Sequence, residues 1–189
     1  MNVLITGSSG FLGRYLAQFL AEKGYSTLAH TRTAQTFAHP KISNINFDLK
    51  ANFKSMMSLA SKKLPLPIGC LDNKRSMVSV YNLADLIHTC MTHPNANGEV
   101  FLASDQDDIS VKQLFEKLAK YQNNQLLMLP IPKSLIGLLA SLVGKKAVAS
   151  RLCSELIVDT TKNTQLLGWT APYSVDASLQ KMFNTSHKN

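Results

Sequence analysis

Ile5-Thr6-Gly7-Ser8-Ser9-Gly10-Phe11-Leu12-Gly13 is the stretch that decides the fold. It follows an apolar opening, Met1-Asn2-Val3-Leu4, in which only Asn2 is polar. A short buried strand must end there and a helix must begin. The turn needs backbone freedom at Gly7, and a bound group needs close approach to the main chain at Gly10. Gly13 lets the helix pack tightly against the strand. The first helical N–H groups then face an anion, and the helix dipole favours negative charge at that end. The pyrophosphate of a dinucleotide is the ligand such a turn fits.

The surroundings of the turn agree. Asn2–Thr6 reads as the strand, and Phe11, Leu12, Leu16, Phe19 and Leu20 share one face of the helix. Gly24 ends that helix, and Ser26–His30 reads as a second strand. A third strand is expected near Ile45–Leu49, after a polar, turn-rich stretch. Helical spacing returns at Phe53–Lys62, and prolines keep Leu64–Gly69 extended. Further strands are expected at Ser76–Val80, Glu99–Ala103 and Leu126–Leu129. Asn82 is a candidate N-cap for a helix reaching about Met91, with Asp85 in its first turn. Ser110 and Gln113 form a capping box. Helices are expected at Lys133–Val143, Ala147–Leu156, Thr160–Leu167 and Ser174–Phe183. The leucine-rich face of Lys133–Val143 reads as core packing, with an interaction face as the alternative.

The chain has 189 residues, 45% of them hydrophobic and 17% charged, which suits one compact domain or one domain and a small lobe. Cys70, Cys90 and Cys153 are odd in number and far apart, so neither a disulfide framework nor a paired metal site is expected. No apolar run reaches the roughly 18 residues of a membrane span. The first strand begins at once, so no signal peptide is expected and a cytoplasmic location is. The net charge of +8 carries no basic run interleaved with aromatics, so nucleic acid is not an expected partner. A positive field suits an anionic small molecule, and an ordinary basic surface explains it equally well.

With these segments in place the chain resembles the extended short-chain dehydrogenase/reductase family, and within it the NAD-dependent sugar-nucleotide epimerases and dehydratases of the UDP-glucose 4-epimerase type. Three blocks carry the likeness: Val3–Gly13 with the helix and strand after it; Leu64–Asp85; and Glu99–Ser110 with Val158–Pro172. The last two look closest to a bacterial branch working on UDP-sugars in surface-polysaccharide assembly. The resemblance implies an α/β fold: a Rossmann-like three-layer parallel sheet, reduced in strand number, with a small mixed α/β C-terminal substrate lobe. Residues 1–49 would be the dinucleotide-binding part and 50–189 the substrate-binding part and closing elements. It implies NAD or NADP as cofactor and a UDP-sugar as ligand. Gly7, Ser9, Gly10, Phe11, Leu12 and Gly13 match the pyrophosphate cradle, and Asp48 and Leu49 the pair near the adenine. Asn52 falls at a substrate-side asparagine. Arg75 matches the arginine that meets the substrate diphosphate, a contact for which a forked guanidinium is well shaped; a solvent-facing charge is the other reading. Asn82 stands where the family often has an acid. NAD users commonly place an acid after the second strand. Here Arg32 stands in that region, able to accept a 2′-phosphate or to be a plain loop residue, so both cofactors stay open.

The family's chemistry needs a tyrosine with a lysine four residues on, which brings the phenol's ordinary value near 10 towards neutrality. Four residues after Tyr15, Tyr25, Tyr81, Tyr121 and Tyr173 stand Phe19, Ala29, Asp85, Gln125 and Ala177. The segment after Leu49 resembles one that normally follows the active-site helix. On the order of one hundred residues, about three strand-plus-helix units, are missing at that join. The expectation is therefore an epimerase-like chain with impaired catalysis; the alternatives are a non-catalytic dinucleotide-binding remnant and a regulatory or scaffold protein. Loss of central strands would expose sheet edges, so a smaller sheet or self-association, as in a homodimer, is expected. No metal site is expected: His88 reads as a surface or cap residue, and Asp105, Asp107 and Asp108 as a solvated turn.

Overall fold

The computed structural model describes residues 2–6, 10–30, 42–43, 51–62, 64–142 and 153–186. Strand β1 (Asn2–Thr6) runs parallel to β2 (Ser26–His30), with Asn2 opposite Ser26 and Thr6 opposite His30. Helix α1 (Phe11–Glu22) makes the crossover, and Gly24 leaves it at φ +95°, a left-handed turn that glycine adopts without strain. Strand β3 (Ile42–Ser43) extends the parallel sheet beside β2, giving the order β1-β2-β3. The strand expected near Ile45–Leu49 lies outside the described residues.

The rest of the chain builds a second body. Helix α2 (Ala51–Ser61) packs on α4 (Val111–Tyr121), and α4 on the C-terminal α7 (Val175–Ser186). Ala60, Leu71, Leu114, Phe115, Leu118 and Leu179 form the heart of its core. The Ser110 capping box is present on both sides: Ser110 Oγ accepts from the Gln113 N–H at 3.1 Å, and Gln113 Oε1 from the Ser110 N–H at 2.8 Å. Between these elements stand β4 (Lys74–Arg75), α3 (Val80–Thr92), β5 (Ile109–Ser110), α5 (Lys133–Leu142) and α6 (Thr161–Leu167). The expected helix Ala147–Leu156 lies mostly outside the described residues.

Three expected strands are not formed. Ser76–Val80 is displaced: β4 precedes it, and Ser79 caps α3 with its hydroxyl accepting from the Asn82 N–H at 3.2 Å. Asn82 is therefore inside the helix, and Asp85 lies beyond the first turn. Leu126–Leu129 shrinks to one parallel bridge, Met128 with Leu66, because the neighbouring prolines offer no N–H to a ladder. Glu99–Ala103 keeps its alternation without a ladder. Phe101 and Ala103 face a cluster of Leu86, Leu167 and Trp169, while Val100 and Leu102 are 75% and 53% exposed. Their carbonyls accept from Lys162 Nζ and Asn163 Nδ2 instead of a neighbouring strand.

Helix α3 joins the two bodies. Met91 packs on the N-terminal cluster of Ile5, Ala17, Leu20, Ala21 and Ala29. His88 lies edge-on to Phe19 and Tyr25, at 6.0 and 5.7 Å between ring centroids, rather than standing at the surface.

Candidate dinucleotide and diphosphate site

The glycine turn ends where expected. Gly10 caps α1 in an extended conformation, φ −80° and ψ 159°, and its carbonyl accepts from the Arg14 N–H at 3.1 Å. No side chain caps this end and no acid sits in the first turn. The leading N–H groups therefore suit an anion, and no carboxylate in the first turn opposes one. Phe11 is 45% exposed rather than part of the buried stripe; Ala17, Leu20 and Ala21 do the burying. Leu12 and Gly13 are half-buried behind it.

Gly7, Ser9, Arg32, Asp48 and Leu49 lie outside the described residues, as does the Asn52 side chain on α2. Arg75 is on the other sheet. It is flanked by Ile109 of β5 on one side and bridged to Leu156 on the other. Its Nη1 donates to the Ser154 carbonyl at 3.4 Å, beside Asn73 Nδ2, which donates to the same oxygen at 2.9 Å.

Sequence reasoning missed a buried polar clamp. Asn82 is fully buried. Its Nδ2 donates to Asp105 Oδ1 and to the Tyr173 carbonyl, both at 2.7 Å, and its Oδ1 accepts from the Tyr173 N–H at 3.0 Å. Asp105 Oδ1 also accepts from the Ser79 N–H at 2.8 Å. Asp105 is thus a buried bracket, not part of a solvated turn, and burial pushes its carboxyl above the ordinary range although the Ser79 N–H and Asn82 amide pull it down. Asp108 is engaged too, accepting from Ser76 Oγ at 2.6 Å. Asp85 accepts from the indole of Trp169 at 2.9 Å. The signal for the clamp was Ser79, three residues ahead of Asn82, a stronger N-cap than Asn82 for a helix beginning at Val80.

Tyr15, Tyr81 and Tyr121 move away from proton-transfer chemistry. Burial, with the Tyr81 phenol next in weight, pushes Tyr15 up to about 12. Burial and then Tyr173 raise Tyr81; burial and then Asp176 raise Tyr121. A phenol serving as proton carrier near neutrality needs the opposite shift. An apolar groove of about 360 Å³ between α3 and Glu99–Ala103 is lined by Leu86, Cys90 and Phe101, away from the glycine turn. Among the described residues there is no group of three or more metal-ligating side chains, and no helix is long and apolar enough to cross a membrane.

A parallel sheet, a crossover helix entered at a glycine and a second mixed body define a Rossmann-like α/β protein. Residues 3–59 match the NAD dependent epimerase/dehydratase family. It is 40% identical over 134 residues to UDP-glucose 4-epimerase of Vibrio cholerae, covering 70% of this chain and 41% of that protein. It is 28% identical over 126 residues to N-acetyl-alpha-D-glucosaminyl-diphospho-ditrans,octacis-undecaprenol 4-epimerase of Escherichia coli O157:H7, covering 60% of this chain and 38% of that protein. The chain thus spans less than half the length of these curated relatives. The fold matches the crystal structure of UDP-N-acetylglucosamine 4-epimerase from Bacillus cereus with TM-score 0.73 at 10% identity, over 99% of each chain.

Proposed function

We propose that this chain binds a nicotinamide dinucleotide at Gly7–Gly13, meets the diphosphate of a UDP-sugar through Arg75, and does not turn the pair over. The observation that carries this is the start of α1 at Gly10, with no side-chain cap and no acid in its first turn, in a chain where no tyrosine is followed four residues later by lysine. The upward shifts of Tyr15, Tyr81 and Tyr121 support it. The family's dependence on NAD and the nucleotide-sugar names of the relatives support the ligand classes. Ser9, Phe11 and Leu12 would flank the pyrophosphate, Asp48 and Leu49 the adenine, and Asn52 the sugar. Bound NAD would supply hydride exchange; the residues here bind and orient it. In this reading residues 1–49 are the dinucleotide part, 50–189 the substrate part, and the shortening is internal. The last point is supported by a fold match that runs over 99% of both chains while the chain spans 41% of its relative.

The test is calorimetric titration of the full chain with NAD(H) and NADP(H), beside an epimerase assay with UDP-glucose and UDP-N-acetylglucosamine. Dinucleotide binding that is lost in Gly10→Val, without turnover, is expected. A placed acid–base group is worth about 10²–10⁴-fold in rate. Steady turnover of either sugar nucleotide overturns the proposal.

A further inference from the structure

Tyr15 on α1 meets Tyr81 on α3 edge-on at 5.2 Å between centroids, and Tyr81 meets Tyr173 at 6.0 Å. Lys181 on α7 places its ammonium 4.6 Å from the Tyr81 centroid, 4.5 Å from that of Tyr173 and 3.3 Å from the Tyr173 hydroxyl. Tyr173 is also held through both main-chain polar groups by Asn82. Three rings and one cation therefore run unbroken from the helix that opens at the glycine turn to the C-terminal helix. The rings are only half-buried and Lys181 is exposed, so this line is not the interior of either apolar core. Each ring has an electronegative face that attracts the ammonium, and edge-to-face packing favours the ring pairs.

We propose that Tyr15, Tyr81, Tyr173 and Lys181 form a clasp through which the docking of α7 sets the rigidity of α1. A cation shared between two rings holds both against α3, and releasing it frees Tyr81 from one of its two ring partners. Loosening at the C-terminal helix then reaches the cradle helix without any residue of the glycine turn being touched.

Hydrogen–deuterium exchange on the full, ligand-free chain tests this, so its failure is distinct from failure to bind dinucleotide. Lys181→Met keeps the side-chain length and removes the charge. It is expected to raise exchange several-fold in residues 175–186 and also in 14–22, while Lys181→Arg stays at the wild-type level. Tyr173→Phe, which keeps the ring and loses the hydroxyl contact, is expected to stay near wild type. Faster exchange confined to α7, no change at all, or a Tyr173→Phe profile equal to that of Lys181→Met overturns the clasp. Tyr81→Leu must reproduce the spread into α1; a Tyr81→Leu variant with unchanged α1 overturns it as well.

Discussion

The two halves of the molecule are stabilised differently. The N-terminal sheet buries Ile5, Ala17, Leu20, Ala21 and Ala29, three of them alanines, and leans on Met91, His88 and Tyr81 from α3. The C-terminal body buries leucines, two phenylalanines, two isoleucines and two valines drawn from α2, α4, α7 and the segments between them. Apolar area buried scales with stabilisation at roughly 25 cal/mol per Å². Among the described residues the N-terminal half therefore has the smaller apolar core and leans on α3, whereas the C-terminal half has a larger core of its own.

The largest expected effect comes from cutting each core in turn. Leu118 and Leu20 are both fully buried. Leu118→Ala should cost about 2–5 kcal/mol and lower the whole unfolding transition. Leu20→Ala should cost a similar amount locally but release mainly the N-terminal sheet. The single tryptophan, Trp169, is buried beside Leu86 and Leu167 and reports the C-terminal body. Tryptophan fluorescence and far-UV circular dichroism should then separate in Leu20→Ala and coincide in Leu118→Ala. Coincident transitions in both would make the two halves one cooperative unit.

Next in size is the clamp that seats Tyr173 on α3. Asn82→Leu strips a buried carboxylate and two main-chain groups of partners. Unmet buried polar groups cost about 1–3 kcal/mol each, more when charged. A loss of about 3–5 kcal/mol is expected in urea unfolding. A loss below about 1 kcal/mol would mean that water replaces the amide and the clamp is not what docks this loop.

Asp105 gives a pH-dependent version of the same contrast. Its carboxyl is raised in the folded chain by burial. The folded state then holds the proton to higher pH than the unfolded state does. This contribution to stability is full below the ordinary value of 3.8 and is lost as pH rises through the raised folded value. Asp105→Asn keeps an oxygen for the Ser79 and Asn82 donors and removes the charge. It should flatten the decline in stability as pH rises above the ordinary carboxylate value. Unfolding midpoints across that range check it, and parallel curves for both proteins would refute the buried-charge account.

Helix α1 with its Gly10 start and the Ser110 box were legible because each depends on neighbours within a few residues. The strands at Glu99–Ala103 and Leu126–Leu129 were not. A strand needs a partner, and partners are set by the whole sheet. Asn82 was misread for a related reason. Its type suits a cap, yet burial and the long-range bonds to Asp105 and Tyr173 decide its role. Likewise His88 has no local pattern to show that two rings from the first βαβ unit would close on it.

The smallest expected effect isolates conformation from packing. Gly168 ends α6 at φ +62°, and a Cβ there would meet nothing within 4 Å. Its N–H donates to the Thr164 carbonyl at 3.0 Å, the 5→1 bond of an αL helix ending, and the Trp169 N–H donates to the Asn163 carbonyl at 3.2 Å. Gly168→Ala should therefore cost only the left-handed penalty, about 1 kcal/mol, with Gly168→Asn recovering part of it. Because Trp169 follows at once and its indole reaches Asp85, the loss should appear in both fluorescence and thermal midpoint. A Gly168→Ala protein with an unchanged midpoint would show that the indole bond and the Leu86–Leu167 cluster seat Trp169 without help from the helix ending. The contrast between the halves would then rest on side-chain packing alone.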